Sequence, residues 1–132
     1  MRVFIDTNIL ISAALFPGSV PDLAYAKAVS APNEAIISDQ VVDELRRIFN
    51  RKFPHRMAEL DAFIASMSSA VEIVTAPAEE EDSEGAIRDP KDRPILRAAI
   101  SAGADVLLTG DKDFLESGLD SPRIMTAADF YE

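Results

Sequence analysis

The sequence predicts an α/β fold built on a parallel sheet with right-handed crossovers, and two observations carry that reading. Short apolar β-type runs alternate with helical patterns along the chain. The runs VFI (3–5) and VLL (106–108) have no polar residues in alternation, as expected of strands covered on both faces.

Taken in order, β-type runs recur at 2–5, 34–37, 70–74, 105–109 and 123–125. NILISAAL begins a helix directly after Asp6, and PDLAYAKAVS forms one after the PGSVP turn. SDQVVDELRRIFN and PHRMAELDAFIASMSS predict two longer helices, the first running from Ser38 as N-cap through Asn50. The apolar residues of the second, Met57, Leu60, Phe63, Ile64 and Met67, suit either the core or an interface. RPILRAAISAG is a further helix, with Gly103 as its C-terminal signal. APAEEEDSEGAIRDP (76–90) concentrates Glu79, Glu80, Glu81, Asp82 and Glu84 and predicts a solvated loop. Neither a repeat nor a domain boundary is evident, so 1–132 is expected to be one domain.

Composition narrows the chemistry. The chain has no cysteine and a single histidine, His55, which excludes disulfides, thiolate zinc sites and any mechanism needing two imidazoles. No apolar run approaches the roughly 20 residues of a membrane span, and the N-terminus lacks the pattern of a signal peptide, so a cytoplasmic protein without membrane attachment is expected. Acidic residues outnumber basic ones by 23 to 13, a net charge of -10 that argues against a polyanionic partner. Distribution qualifies this, because nine of the thirteen cations fall in two segments: Arg46, Arg47, Arg51, Lys52 and Arg56, then Arg88, Lys91, Arg93 and Arg97. Each segment reads either as a solvated helix face or as a set of phosphate contacts.

Four acids stand at positions where structure and chemistry compete for them. Asp6 ends the first strand at the sheet edge where α/β folds bind ligands, and is either a helix cap or part of a site. On the 38–50 helix the apolar stripe of Val41, Val42, Leu45, Ile48 and Phe49 turns Asp43 to solvent and leaves Glu44 at the buried margin. There Glu44 either pairs with a nearby Arg or enters a site. Asp92, followed by Arg93 and Pro94, is a plausible N-cap whose carboxylate could still face a cleft, with Asp89 in reach of the same space. Asp111 follows Thr109 and Gly110, a glycine suited to a tight turn, and either caps the next short helix or is presented at the sheet edge.

Asp6 in FIDTNIL, Glu44 in VVDELRRI, Asp92 in DPKDRPILRAA and Asp111 in LLTGDKDF, in this order, resemble the acidic quartet of the PIN (PilT N-terminus) domain, over Met1 to about Phe114. The resemblance implies a three-layer, Rossmann-like α/β/α sandwich around a mainly parallel sheet of four or five strands. It also implies a Mg²⁺- or Mn²⁺-dependent ribonuclease acting on single-stranded RNA, often the toxin half of a VapC-like toxin–antitoxin pair, with a cognate antitoxin and a homodimeric state as expected partnerships. Carboxylates suit hard divalent ions, which lower the pKa of bound water and neutralise phosphate. Two carboxylates about 4 Å apart repel by roughly 4 kcal/mol at an effective dielectric of 20, so four in one cleft call for a cation. On this reading Asp6, Glu44 and Asp92 ligate a first ion and Asp111 joins a second. Asp89 and Asp113 are further oxygen donors, Thr7, Asn8 and Thr109 orient the ligands, and Arg46, Arg47, Arg51 and Lys52 contact RNA.

Competing readings are a PIN-like RNA-binding or protein-interaction domain without activity, a haloacid-dehalogenase-type phosphatase and a phosphoacceptor receiver domain. The phosphatase needs an Asp two positions after the first, where this chain has Asn8. The receiver arranges its acids on other strands.

Overall fold

In the computed structural model, which describes all of residues 1–132, five strands form one all-parallel sheet in the order β3-β2-β1-β4-β5. They are β1 (Arg2–Ile5), β2 (Glu34–Ser38), β3 (Val71–Val74), β4 (Val106–Leu108) and β5 (Arg123–Met125). The helices are α1 (Thr7–Leu15), α2 (Val20–Ala28), α3 (Asp39–Lys52), α4 (Met57–Ser68), α5 (Arg93–Ser101), α6 (Lys112–Leu115) and α7 (Ala127–Tyr131).

The strands without polar alternation lie in the interior of the sheet. Val3, Phe4 and Ile5 of β1 and Leu107 and Leu108 of β4 are fully shielded from solvent. The edge strands β3 and β5 carry the exposed positions Glu72, Ile73 and Arg123. Strand order then fixes the layers. Right-handed crossovers from β1 through β2 to β3 put α1 to α4 on one face, and the return to β4 and β5 puts α5 and α6 on the other. Leu10, Leu45, Phe49, Leu60 and Met67 fill the first helical layer, and Ile95, Leu96, Ala98 and Ala99 of α5 fill the second. Strand order reverses between β1 and β4, and in such sheets the crevice at that reversal, beyond the strands' carboxyl ends, is where ligands bind.

Local predictions hold closely on α3. Ser38 caps it by accepting from the Val41 N–H at 3.4 Å, Val41, Leu45 and Phe49 are buried, Asp43 is exposed and Glu44 is half-buried. Gly103, with φ +70°, ends α5 as its sequence position suggests. Leu60, Ile64 and Met67 belong to the core, and Phe63 packs its ring 5.4 Å from that of Tyr25. No single helix is long and apolar enough to cross a membrane.

The acidic stretch departs from expectation. Instead of a fully solvated loop, 76–90 contains a 3₁₀ helix, Asp82–Ala86, with Glu84 only 4% exposed and Ile87 fully buried. Arg97 of α5 explains the difference. Its Nε and Nη2 donate to the two Glu84 oxygens at 2.8 Å each, and its Nη1 donates to the Pro77 carbonyl at 3.0 Å. This fork satisfies the carboxylate it covers, and the Arg97 guanidinium holds Glu84 below the usual carboxylate pKa range. The C-terminal α7 also lies outside the predicted elements; Thr126 caps it and Phe130 anchors it in the core.

Substituting Arg97→Met should release this segment. Cleavage by a glutamate-specific protease between Glu79 and Glu84 is expected to be faster than in wild type, and the melting temperature lower; equal cleavage rates would show that Arg97 does not hold the segment.

Candidate functional site

The main chain of β1 and β4 stays paired up to the residue that matters, with Asp6 N–H donating to the Leu108 carbonyl at 2.9 Å. The Asp6 side chain is thereby fixed at the carboxyl edge of the two central strands, 5% exposed. Its Oδ1 accepts from the Thr7 N–H and its Oδ2 from the Thr109 hydroxyl, both at 2.8 Å. Thr109, wholly buried, accepts in turn from the Asp111 N–H at 3.0 Å, so the ends of β1 and β4 are joined side chain to main chain. The Thr7 hydroxyl donates to Glu44 Oε2 at 2.7 Å, and Gln40 donates to Glu44 Oε1 at 3.1 Å. Asn8 Oδ1 accepts from the Gly110 N–H at 3.2 Å.

Asp111 both caps and faces the site. Its Oδ1 accepts from the Asp113 N–H at 2.9 Å, opening α6, while ligand atoms of Asp92, Asp111 and Asp113 lie within 4.8 Å of one another. Asp92 holds the N-cap position of α5, but its carboxylate makes no capping bond there, which corrects the capping role its position suggests. Asp89 closes a turn by accepting from the Lys91 N–H at 3.0 Å. Gly110 is not in a left-handed conformation, and a Cβ there would meet only Asn8 at ordinary contact distance. The turn after β4 therefore does not require glycine on steric grounds.

The charges of these acids register one another. Burial pushes the Asp6 carboxyl up to about 6, against the lowering pull of the Thr109 and Thr7 hydrogen bonds, and Glu44 and Asp111 add repulsion. Asp92 is pushed up to about 7, by burial first and then by repulsion from Asp111, Asp6, Asp89 and Glu44. Of the four acids expected from sequence, Asp92 and Asp111 lie close together with Asp113, whereas Asp6 and Glu44 are outside that group and are linked to it through Thr109 and Thr7. The donor set is all oxygen, which fits Mg²⁺ or Mn²⁺ better than zinc. Asp113 is also engaged by Arg88 at 2.8 Å, an exposed cation that reaches Glu116 as well.

The basic residues divide by role. Arg46 pairs with Asp61 at 3.2 Å and Arg56 with Glu59 at 2.6 Å, all on the surface, whereas Arg47, Arg51 and Lys52 are exposed along α3. In the second segment Arg93 donates to the Ile87 carbonyl at 3.0 Å and Arg97 to Glu84, so both are structural. Gln40 is the site contact that sequence reasoning missed. The available signal was its position four residues before Glu44, on the same helical face.

The family model described as PIN domain matches residues 2–113. Solved structures share the architecture over most of their length. VapBC2 from Rickettsia felis, bound to a promoter DNA fragment, aligns with TM-score 0.70 and 22% identity over 96% of this chain and 98% of that one. VapC20 from Mycobacterium tuberculosis, described as a sarcin-ricin loop cleaving toxin, gives 0.62 and 22% over 89% and 95%. A Pyrobaculum aerophilum protein gives 0.62 and 15% over 99% and 93%. No curated protein matches the chain. At these identities the likeness is one of fold.

Raised carboxyl pKa values make the acidic edge a pH-dependent burden on the metal-free protein. Below about pH 4 Asp6 and Asp92 are protonated in folded and unfolded chains alike, and their charge costs nothing. As pH rises, the unfolded chain gives up these protons first, and the cost to folding is complete only above about pH 7. In EDTA, Asp92→Asn should therefore gain melting temperature relative to wild type at pH 8 and lose that advantage near pH 4. Asp92 is the cleaner choice than Asp6, whose two oxygens both accept hydrogen bonds. A constant difference across this range would mean that Asp92 carries no charge strain.

Proposed function

The chain belongs to the PIN domain family, and from that premise we propose that it is a Mg²⁺- or Mn²⁺-dependent ribonuclease of the cytoplasm, hydrolysing phosphodiester bonds of single-stranded RNA as the toxin half of a toxin–antitoxin pair. The observation that supports this reading is geometric: Asp6 stands at the reversal of strand order, joined through Thr109 to Asp111 and through Thr7 to Glu44, and ligand atoms of Asp92 and Asp111 lie within 4.8 Å of each other. Fold likeness to VapC20, a toxin that cleaves the sarcin-ricin loop, supports a toxin whose target is RNA. A cognate antitoxin and a homodimer belong to the same proposal.

In this mechanism Asp6, Glu44, Asp92 and Asp111 would hold one or two ions, with Asp89 and Asp113 as further donors. A bound ion of this kind lowers the pKa of its water and neutralises charge on the phosphate. Thr109 and the Thr7 main chain fix Asp6, the Thr7 hydroxyl fixes Glu44, and Asn8 ties the turn after β4 to α1. Arg88 competes for Asp113 only weakly, because exposed ion pairs contribute little and yield readily to a stronger partner. RNA is placed along α3, where Arg46 and Arg47 lie within a turn of Glu44 and Arg51 and Lys52 about two turns beyond, at roughly 1.5 Å per residue.

Cleavage of a fluorogenic single-stranded RNA is expected with Mg²⁺ or Mn²⁺ and absent in EDTA. Asp6→Asn, Glu44→Gln, Asp92→Asn and Asp111→Asn should each remove most of it, while Asp43→Asn, altered on the solvent side of the same helix, should not. Undiminished cleavage in excess EDTA sinks the proposal.

Binding of single-stranded RNA should lose salt dependence when Arg46, Arg47, Arg51 and Lys52 are changed together to Ala, by up to about 0.7 in the log–log slope for each phosphate contact removed. An unaltered slope returns α3 to a solvated face.

A further inference from the structure

Gln40, near the start of α3, reaches the main chain leading to Asp92. Its carboxamide nitrogen donates one hydrogen to Glu44 Oε1 at 3.1 Å and the other to the Lys91 carbonyl at 2.9 Å. The first bond is local, spanning one turn of α3, where residues four apart face each other. The second crosses 51 residues of sequence to the peptide immediately before Asp92. Both acceptors face the same nitrogen, so a reversed amide would set its oxygen against two oxygens, and the orientation is chemically determined.

From this double bond we propose that Gln40 is a positioning residue for the acidic edge, holding Glu44 in one rotamer and Asp92 at a fixed distance from it. The inference rests on the reading of that edge as a divalent-metal site. Glu44 is then held at both oxygens, by Gln40 and by Thr7, and each oxygen still has a lone pair to offer a cation. Asp92 has no such donor of its own. Its position depends on the segment that carries it, which Arg93 holds at Ile87 and Gln40 holds at Lys91. Without Gln40, α3 loses its hydrogen bond to the Lys91 carbonyl, and Glu44 Oε1 loses the donor that orients it.

Gln40→Met keeps the side-chain length and removes both donors; Gln40→Ala is its companion should the methionine repack. Mn²⁺ dissociation constants from titration calorimetry should rise by about 10- to 100-fold in both variants, the usual consequence of removing a partner that orients a ligand. The Mn²⁺ concentration for half-maximal RNA cleavage should rise by the same factor, with kcat returning toward wild type at saturating Mn²⁺. Melting temperatures in EDTA should stay within a few degrees of wild type, since Gln40 is a half-buried surface position. Wild-type Mn²⁺ affinity in either folded variant overturns the proposal, as does a loss that follows a collapsed melting temperature in EDTA. Wild-type protein that binds Mn²⁺ but cuts no RNA removes the nuclease reading alone, because calorimetry reads the metal site directly. Wild-type protein that binds no Mn²⁺ overturns both.

Discussion

Asp6 keeps almost no contact with water, and a carboxylate in that position is tolerated because the Thr109 hydroxyl and the Thr7 N–H both donate to it. Each of those partners is committed elsewhere as well. Thr109 receives the Asp111 N–H, and the Thr7 hydroxyl is spent on Glu44. Satisfying one buried charge therefore fixes two more acids, one at a different strand end and one on α3, the helix beside α1. The parallel topology makes this possible, since β1 and β4 are adjacent interior strands that end on the same edge, at the point where strand order reverses.

Much of this was legible in the sequence because it follows from local periodicity. The unbroken apolar runs of β1 and β4 identified the buried strands, and helical phase on α3 separated exposed Asp43 from half-buried Glu44. What stayed hidden are bonds between residues remote in sequence. Nothing local distinguishes Glu84 from its acidic neighbours; its burial is decided by Arg97, thirteen residues later and on another element. The same holds for Gln40 and Lys91, 51 residues apart. Position alone also misled at Asp92, where the N-cap slot is occupied but the capping bond is absent.

The uneven use of cations bears on how a chain of net charge -10 would accept the nucleic-acid substrate proposed for it. Arg93 and Arg97 are consumed in holding the 76–92 segment, and Arg88 is divided between Asp113 and Glu116. Along α3, by contrast, Arg47, Arg51 and Lys52 stand exposed on the helix that also carries Glu44. Field at a surface is set by local arrangement within about a Debye length, roughly 8 to 10 Å, so a basic helix can guide an anion although the whole molecule is acidic.

Strain at the acidic edge is maintained by clamps that lie outside it. Asp6, Glu44, Asp111 and Asp113 each have a donor on at least one oxygen, and their negative charge is partly offset within the protein. Asp92 has none and sits among like charges, an arrangement that left to itself would open. It does not open, because the segment before it is fastened on both sides, by Arg97 to Glu84 and Arg93 to Ile87 from α5, and by Gln40 to Lys91 from α3. These contacts offset repulsion that the fold alone gains nothing from sustaining. A site held in this way is costly to stability and ready for a cation, the expected pattern where a function sets the geometry.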